Sequence, residues 1–206
     1  RKWKNLQINQ ITTTQIREVV LDDLKDRAEA TRKSMLKYFK AVFDYAVDEG
    51  MIPRNPCPKL KFKQNIKIKS VLTESEIYIF LKAARVQNHP WFPIWTLACY
   101  TGLRNGELYA LKWEKVNVER RQMIISLAWN AENGFKETKS GDDRIAEIAE
   151  SLIPLMREMK SNSQDEFVLP RLESWKKGNQ AKVLRVFLYS INLPKIRFHD
   201  LRATFI

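Results

Sequence analysis

Residues 101–108 read Thr101-Gly102-Leu103-Arg104-Asn105-Gly106-Glu107-Leu108. The Thr-Gly break ends an apolar segment running from Trp91 to Tyr100, and Arg104 then opens a helical pattern with Glu107 three residues on. An arginine fork offers bidentate hydrogen bonds to phosphate, and amides at a helix start add to anion binding. Glu107 is placed to orient an arginine across such a site; a surface Arg–Glu pair of little energetic weight is the other reading. About a hundred residues later stand His199-Asp200-Leu201-Arg202. Spaced i and i+3, His199 and Arg202 share a helix face and can converge on one ligand. A histidine there can exchange a proton or donate to a phosphoryl oxygen near neutral pH. A capping or packing histidine beside a solvated arginine is the alternative.

The surrounding chain suits a polyanion. Its 206 residues carry a formal net charge of +12, and excess positive charge favours phosphate backbones through counterion release. Residues 1–63 hold 14 Lys/Arg against 8 Asp/Glu, and residues 64–206 hold 22 against 16. Basic character is therefore shared and is not a tail on a neutral domain. Cys57 and Cys99 lie far apart and His89 and His199 are the only histidines, so no metal or redox spacing exists and reduced thiols are expected. No apolar run is long enough for a membrane span. Arg1-Lys2-Trp3-Lys4 has no apolar signal region behind it and no initiator Met. The expectations are a domain excised from a longer chain and a cytoplasmic, nucleoid-associated location in a bacterial host.

The first third reads as helices. Thr12 with Gln15 forms a cap before Ile16, Val19, Val20 and Leu24, and a second helix runs from about Ala30 to Glu49. On it Met35, Phe39, Val42, Phe43 and Ala46 make one apolar stripe, and Gly50 is a stop. Lys33, Lys37 and Lys40 lie almost opposite. They are candidates to press on DNA, although Asp44 and Asp48 continue that face as an ordinary solvated one would. Three prolines within PRNPCP make residues 53–70 read as a linker, whose later lysines, Lys67 and Lys69 among them, can follow a nucleic-acid backbone or simply be solvated. The resulting organisation is a helical unit over 1–62, a basic linker over 63–70 and a mixed unit over 71–206.

That second unit opens on a Thr73/Glu76 capping box, followed by Ile77, Phe80, Leu81 and Ala84. Gln122 to Leu127 predicts a strand, and Phe135 to Ile148 two more around the turn Ser140-Gly141-Asp142. Helices are expected over about 149–160 and 180–191, with a last one beginning near His199. The fold class is thus mainly α with a small antiparallel β-sheet. Lys136 and Lys139 flank the predicted hairpin turn; a lysine there can protonate a leaving oxygen, but hairpin tips are also lysine-rich for solubility.

Taken in order, TGLRNGEL, KETKSGDDR on a hairpin and HDLRATF resemble the tyrosine recombinases, the phage-integrase family. Trp113 within LYALKWEKV and the run PRNP closing a helical unit add to the likeness, which covers nearly the whole chain. The resemblance implies a helical core-binding domain, N-terminally incomplete, and an α+β catalytic domain truncated at its C-terminus. It implies that Arg104 and Arg202 neutralise the nonbridging oxygens of the scissile phosphate. It gives His199 acid/base and hydrogen-bonding work, Lys139 the protonation of the leaving 5′ oxygen, and Glu107 a supporting place; Lys136 aligns less well. It implies no metal and no nucleotide cofactor, since guanidinium charge does what a metal does elsewhere.

The family's further His or Trp and its tyrosine nucleophile, which forms a 3′-phosphotyrosyl link, follow the H-x-x-R box. Tyr100, Tyr109 and Tyr189 all precede it and read as packing residues. The expectation is therefore a recombinase fragment that binds double-stranded DNA without cleaving it, monomeric alone although its full-length parent acts as a tetramer. A non-catalytic module occupying a recombination site and an unrelated basic helical regulator are the alternatives.

Overall fold

Thr12 and Gln15 cap each other: the Thr12 amide donates to Gln15 Oε1 at 2.8 Å and the Gln15 amide to Thr12 Oγ1 at 3.3 Å. Two orphan amides of a helix start are thereby satisfied, and α1 (Thr13–Glu18) follows. This computed structural model describes residues 2–62, 71–137 and 143–204. By its internal contacts the chain divides into two units, Arg1–Lys67 and Ile68–Ile206.

In the first unit α1 runs on into a π-type turn, Val19–Asp23, before the long helix α2 (Glu29–Asp48). Its core is Ile16, Val20, Phe43, Ala46 and Ile52, with Phe39 against Trp3. Val42 departs from the expected stripe and is 56% exposed. The buried arc is centred near Phe43, with Leu36 and Val47 on its far side, and Val42 sits about 100° from that centre by helical geometry. Residues 53–62, read as linker, hold no helix or strand yet pack onto α2. Asn55 Nδ2 donates to the Lys40 carbonyl and to Asp44 Oδ1 at 2.7 Å, while Cys57, Leu60 and Phe62 cover the core.

The second unit begins with the Thr73/Glu76 cap of α3 (Glu74–Val86), whose Ile77, Phe80, Leu81 and Ala84 are all buried. Helix α4 (Phe92–Thr101) is buried over most of its surface and ends at Gly102, with φ 58° in the left-handed region that suits glycine. Leu103 is buried, and α5 (Asn105–Ala110) starts at once. Trp91, Trp95, Trp175 and Phe80 fill the middle of this unit's core.

The strands are β1 (Val116–Asn117), β2 (Gln122–Ile125), β3 (Leu127–Asn130), β4 (Gly134–Glu137) and β5 (Arg144–Glu147). All pairings are antiparallel: β1-β2-β5 form one sheet and β3-β4 another. The predicted strand over 122–127 breaks at Ser126, where the partner changes from β5 to β4. The predicted hairpin is corrected accordingly, since β4 and β5 do not pair with each other. Ile125 faces Arg144 and Leu127 faces Glu137. The reversal between β3 and β4 lies at Asn130–Gly134. Gly134, at φ 68°, makes that turn accessible; Ser140-Gly141-Asp142 lies outside the described residues.

Beyond the sheets come α6 (Ile153–Asn162), a short unpredicted α7 (Glu173–Lys176) that delivers Trp175, and α8 (Gln180–Ser190). The segment Phe198–Thr204 is a 3-10 helix packed against α4 and α8. Among the described residues no helix is long and apolar enough to cross a membrane.

Candidate active site

Arg104 stands at the N-cap of α5, and Glu107 folds back onto it. The Arg104 amide donates to Glu107 Oε2 at 2.8 Å and its guanidinium Nη1 to Oε1 at 2.8 Å. The helix-start amide expected to meet an anion is thus already satisfied by a carboxylate. From β5, Arg144 Nη2 adds a third bond to Oε2 at 2.6 Å. Glu107 is 2% exposed, whereas the Arg104 side chain is 63% exposed. Burial pushes the Glu107 carboxyl up, but the Arg104 amide and guanidinium and the charge of Arg144 outweigh it and hold the group below its ordinary value. The carboxylate is therefore a fixed anion under two guanidinium groups, one of them mostly open to solvent.

Strand β3 sets the other side of α5. Gly106 lies against the Trp129 backbone so closely that an added Cβ would stand 2.5 Å from its carbonyl oxygen. The Tyr109 ring lies against that of Trp129, tilted by 31° with centres 4.2 Å apart. Arg171 lies between Tyr109 and Phe167, 3.7 and 3.9 Å from their ring centres, and donates to the Tyr109 carbonyl. Burial lowers the Arg171 pKa, because desolvation disfavours the charged guanidinium.

The second element is the 3-10 helix. Side chains at i and i+3 eclipse in this geometry, so His199 and Arg202 stand on one side, while Phe198 and Leu201 are buried. Among the described residues, neither the His199 nor the Arg202 side chain has a hydrogen bond or ion pair. Asp200, 3% exposed, accepts from the Arg197 amide at 2.9 Å and from Arg197 Nε and Nη2 at 2.8 Å each. Those guanidinium bonds hold its carboxyl below the ordinary range against the opposing effect of burial. Both α5 and this segment pack against α4.

The sequence profile of the phage integrase family matches residues 70–206. This chain belongs to that family, the tyrosine recombinases. A XerC-like tyrosine recombinase of Caldanaerobacter subterraneus is 26% identical over 219 residues, covering 87% of this chain and 55% of that protein. The Tn1549 transposon integrase, solved with a circular intermediate DNA, superposes with a TM-score of 0.80 at 19% identity over 96% of this chain and 72% of that one. A lambda integrase tetramer bound to a Holliday junction gives 0.71 at 19% identity over 96% and 59%. The chain spans about half the length, or less, of the curated relatives it matches.

For this phage-integrase-family chain, the expected pair Arg104–Glu107 meets directly, and His199 and Arg202 share one face of a segment that, like α5, packs against α4. Lys139 lies outside the described residues, as do Lys67 and Lys69; Lys136 is exposed on β4. Lys33, Lys37 and Lys40 are exposed on α2 and, with Lys59, line an open groove of about 610 Å³ floored by Leu36, Leu60 and Phe62. Sequence reasoning missed Arg144, Arg197 and Lys59. An arginine three residues before a buried acid was a legible signal for Arg197; nothing local pointed to Arg144. Burial pushes the Cys57 thiol up to about 11, and Cys99 is buried, so neither suits a nucleophile's task. Among the described residues no group of three or more His, Cys, Asp or Glu converges to hold a metal.

Proposed function

We propose that this chain is part of a site-specific DNA recombinase of a phage or other mobile element, and that its second unit grips a scissile phosphate between Arg104 and the pair His199 and Arg202. The observation that carries this reading is the Arg104 fork. It is fixed from below by the buried Glu107 and open above, so its remaining donors meet a phosphoryl oxygen without reorganising. Arg202 supplies the second guanidinium, and His199 a donor that can also move a proton. Lys139 protonates the leaving 5′ oxygen, and a tyrosine attacks phosphorus to give a 3′-phosphotyrosyl link that preserves bond energy for rejoining. Lys33, Lys37 and Lys40, with Lys67 and Lys69, hold the duplex by its backbone. The working assembly is a tetramer on DNA, the form in which lambda integrase was solved on a Holliday junction.

All six tyrosines of these 206 residues precede His199. The 206-residue chain by itself is therefore expected to bind duplex DNA and to form no covalent link. Incubation with a phosphorothiolate suicide duplex tests this; an SDS-resistant protein–DNA band overturns it. The same placement favours a second reading, a non-catalytic module that occupies a recombination site. Coding sequence that continues past Ile206 to a tyrosine eliminates that reading, and a stop codon there supports it. Arg104→Ala and Arg202→Ala variants that bind a labelled duplex with unchanged affinity and unchanged salt dependence, in a protein whose activity also survives, sink both.

A further inference from the structure

Glu107 sits in a position that one arginine alone does not explain. Its two oxygens take three hydrogen bonds, two from Arg104 and one from Arg144, which is 37 residues away on β5. A buried carboxylate demands compensation. Were Arg104 the sole source, its charge would be neutralised by the acid beneath it, and little field would remain for a phosphate. With Arg144 present, two guanidinium groups share one carboxylate and the trio keeps a net charge of +1. The geometry divides the work in the same way. Arg144 Nη2 reaches Oε2 at 2.6 Å, while Arg104 Nη1 uses Oε1 and leaves the rest of its fork in solvent.

We propose that Arg144 is a positioning residue of the phosphate site: by compensating Glu107 it leaves the charge of Arg104 available to the phosphate. The proposal rests on the reading of Arg104 as a phosphate ligand. It also gives β5 a place in the site, because the strand that follows residues 138–142 is thereby tied to the helix that presents Arg104. Charge alone predicts an ordering of variants. Arg144→Ala leaves the trio neutral. Arg144→Lys restores the charge through a single ammonium. The double variant Glu107→Gln with Arg144→Ala restores a net charge of +1 by removing the acid instead.

The test is a titration of the isotopically labelled 206-residue chain with inorganic phosphate, followed by NMR at the Arg104 Nε–Hε group and at the His199 ring. Arg144→Ala is expected to weaken phosphate roughly tenfold or more, the effect of one unit charge within about 10 Å at an effective dielectric of about 20. Arg144→Lys and the double variant are each expected to return to within about twofold of wild type on the same grounds. A purely structural role predicts no recovery in the double variant, which lacks both partners of the bridge. Unchanged affinity in Arg144→Ala, or a loss that neither other variant recovers, overturns the proposal. Arg104→Ala separates the two levels: phosphate shifts at His199 that persist undiminished there refute the phosphate site itself, and the role of Arg144 falls with it.

Discussion

Replacing Gly106 by alanine isolates the contact that sets α5 against the sheet. A Cβ there would lie 2.5 Å from the Trp129 carbonyl oxygen, 3.2 Å from its nitrogen and 3.4 Å from its carbonyl carbon. All three are backbone atoms of β3, whose rungs to β4 run from Leu127–Glu137 to Asn130–Gly134. A carbon and an oxygen rest at roughly 3.3 Å or more, so the helix and strand must separate by close to 1 Å. Overpacking of this kind costs about 1–3 kcal/mol, and the upper part of that range applies because no side-chain rotamer can absorb the shift. Alanine recovers about 1 kcal/mol through its better helix propensity. The net destabilisation is then about 1–2 kcal/mol, which for a unit of this size lowers Tm by roughly 3–8 °C. Circular-dichroism melts of the chain measure it, with Gly178 as the contrast. Gly178 has open space around it but φ 74°, so its penalty is conformational and asparagine should relieve it. Asparagine at Gly106 should relieve nothing. A Gly106→Ala protein that melts at or above wild type refutes the reasoning, since propensity would then outweigh contact.

Three further expectations follow from the same geometry. Asp200→Ala removes the acceptor of three Arg197 bonds; a loss of about 2 kcal/mol in urea unfolding is expected, with broadening of the His199 ring signal as the 3-10 turn loosens, and an unchanged signal counts against that linkage. Arg171→Lys should destabilise nearly as much as Arg171→Met, about 1–2 kcal/mol, because an ammonium does not stack between Tyr109 and Phe167 as a planar guanidinium does; full rescue by lysine would show that charge alone matters. Glu107 is held below its ordinary value of 4.5 in the folded chain, so its stabilisation is complete above that pH and is lost as pH falls through the folded value. Melts between pH 6 and 3 should fall less steeply for Glu107→Gln, and parallel curves would assign the acid sensitivity elsewhere.

Features set by neighbours in sequence were legible. The Thr12/Gln15 and Thr73/Glu76 caps and the Arg104–Glu107 pair are all three-residue relations, and each forms as its spacing implies. The buried face of α3 was readable for the same reason, because helical periodicity fixes which residues share it. Features set by register were not. The reversal at Asn130–Gly134 is set by the pairing of Leu127 with Glu137 and of Asn130 with Gly134, a register that the sequence reading did not find. Arg144 meets Glu107 because β2 lines up with β5, and no local pattern encodes that alignment. The Arg171 stack joins residues 62 positions apart and is equally silent in sequence. Lys59 was hidden differently: three nearby prolines made its segment read as a tether, whereas Asn55 fastens that segment to α2.

The two short elements that present the candidate residues share one construction. In each, an acid three residues after an arginine is buried and accepts both the amide and the guanidinium of that arginine: Glu107 from Arg104, and Asp200 from Arg197. Helix α5 has six residues and the 3-10 segment seven, and neither length sustains a helix in water. Charge-assisted bonds to a buried carboxylate, with burial of Leu108 and Leu201 beneath, supply the rigidity that length cannot. The two differ in what is left over. Asp200 receives hydrogen bonds from Arg197 alone among the described residues, so that pair is close to neutral and the positive charge of its element rests on Arg202 and on His199 when protonated. Glu107 is shared with Arg144, so Arg104 is at once the anchored arginine and the available one. The same local motif thus serves as a brace in the second element and, in the first, presents the arginine proposed to meet the phosphate; the 2.6 Å bond from Arg144 is what distinguishes the two.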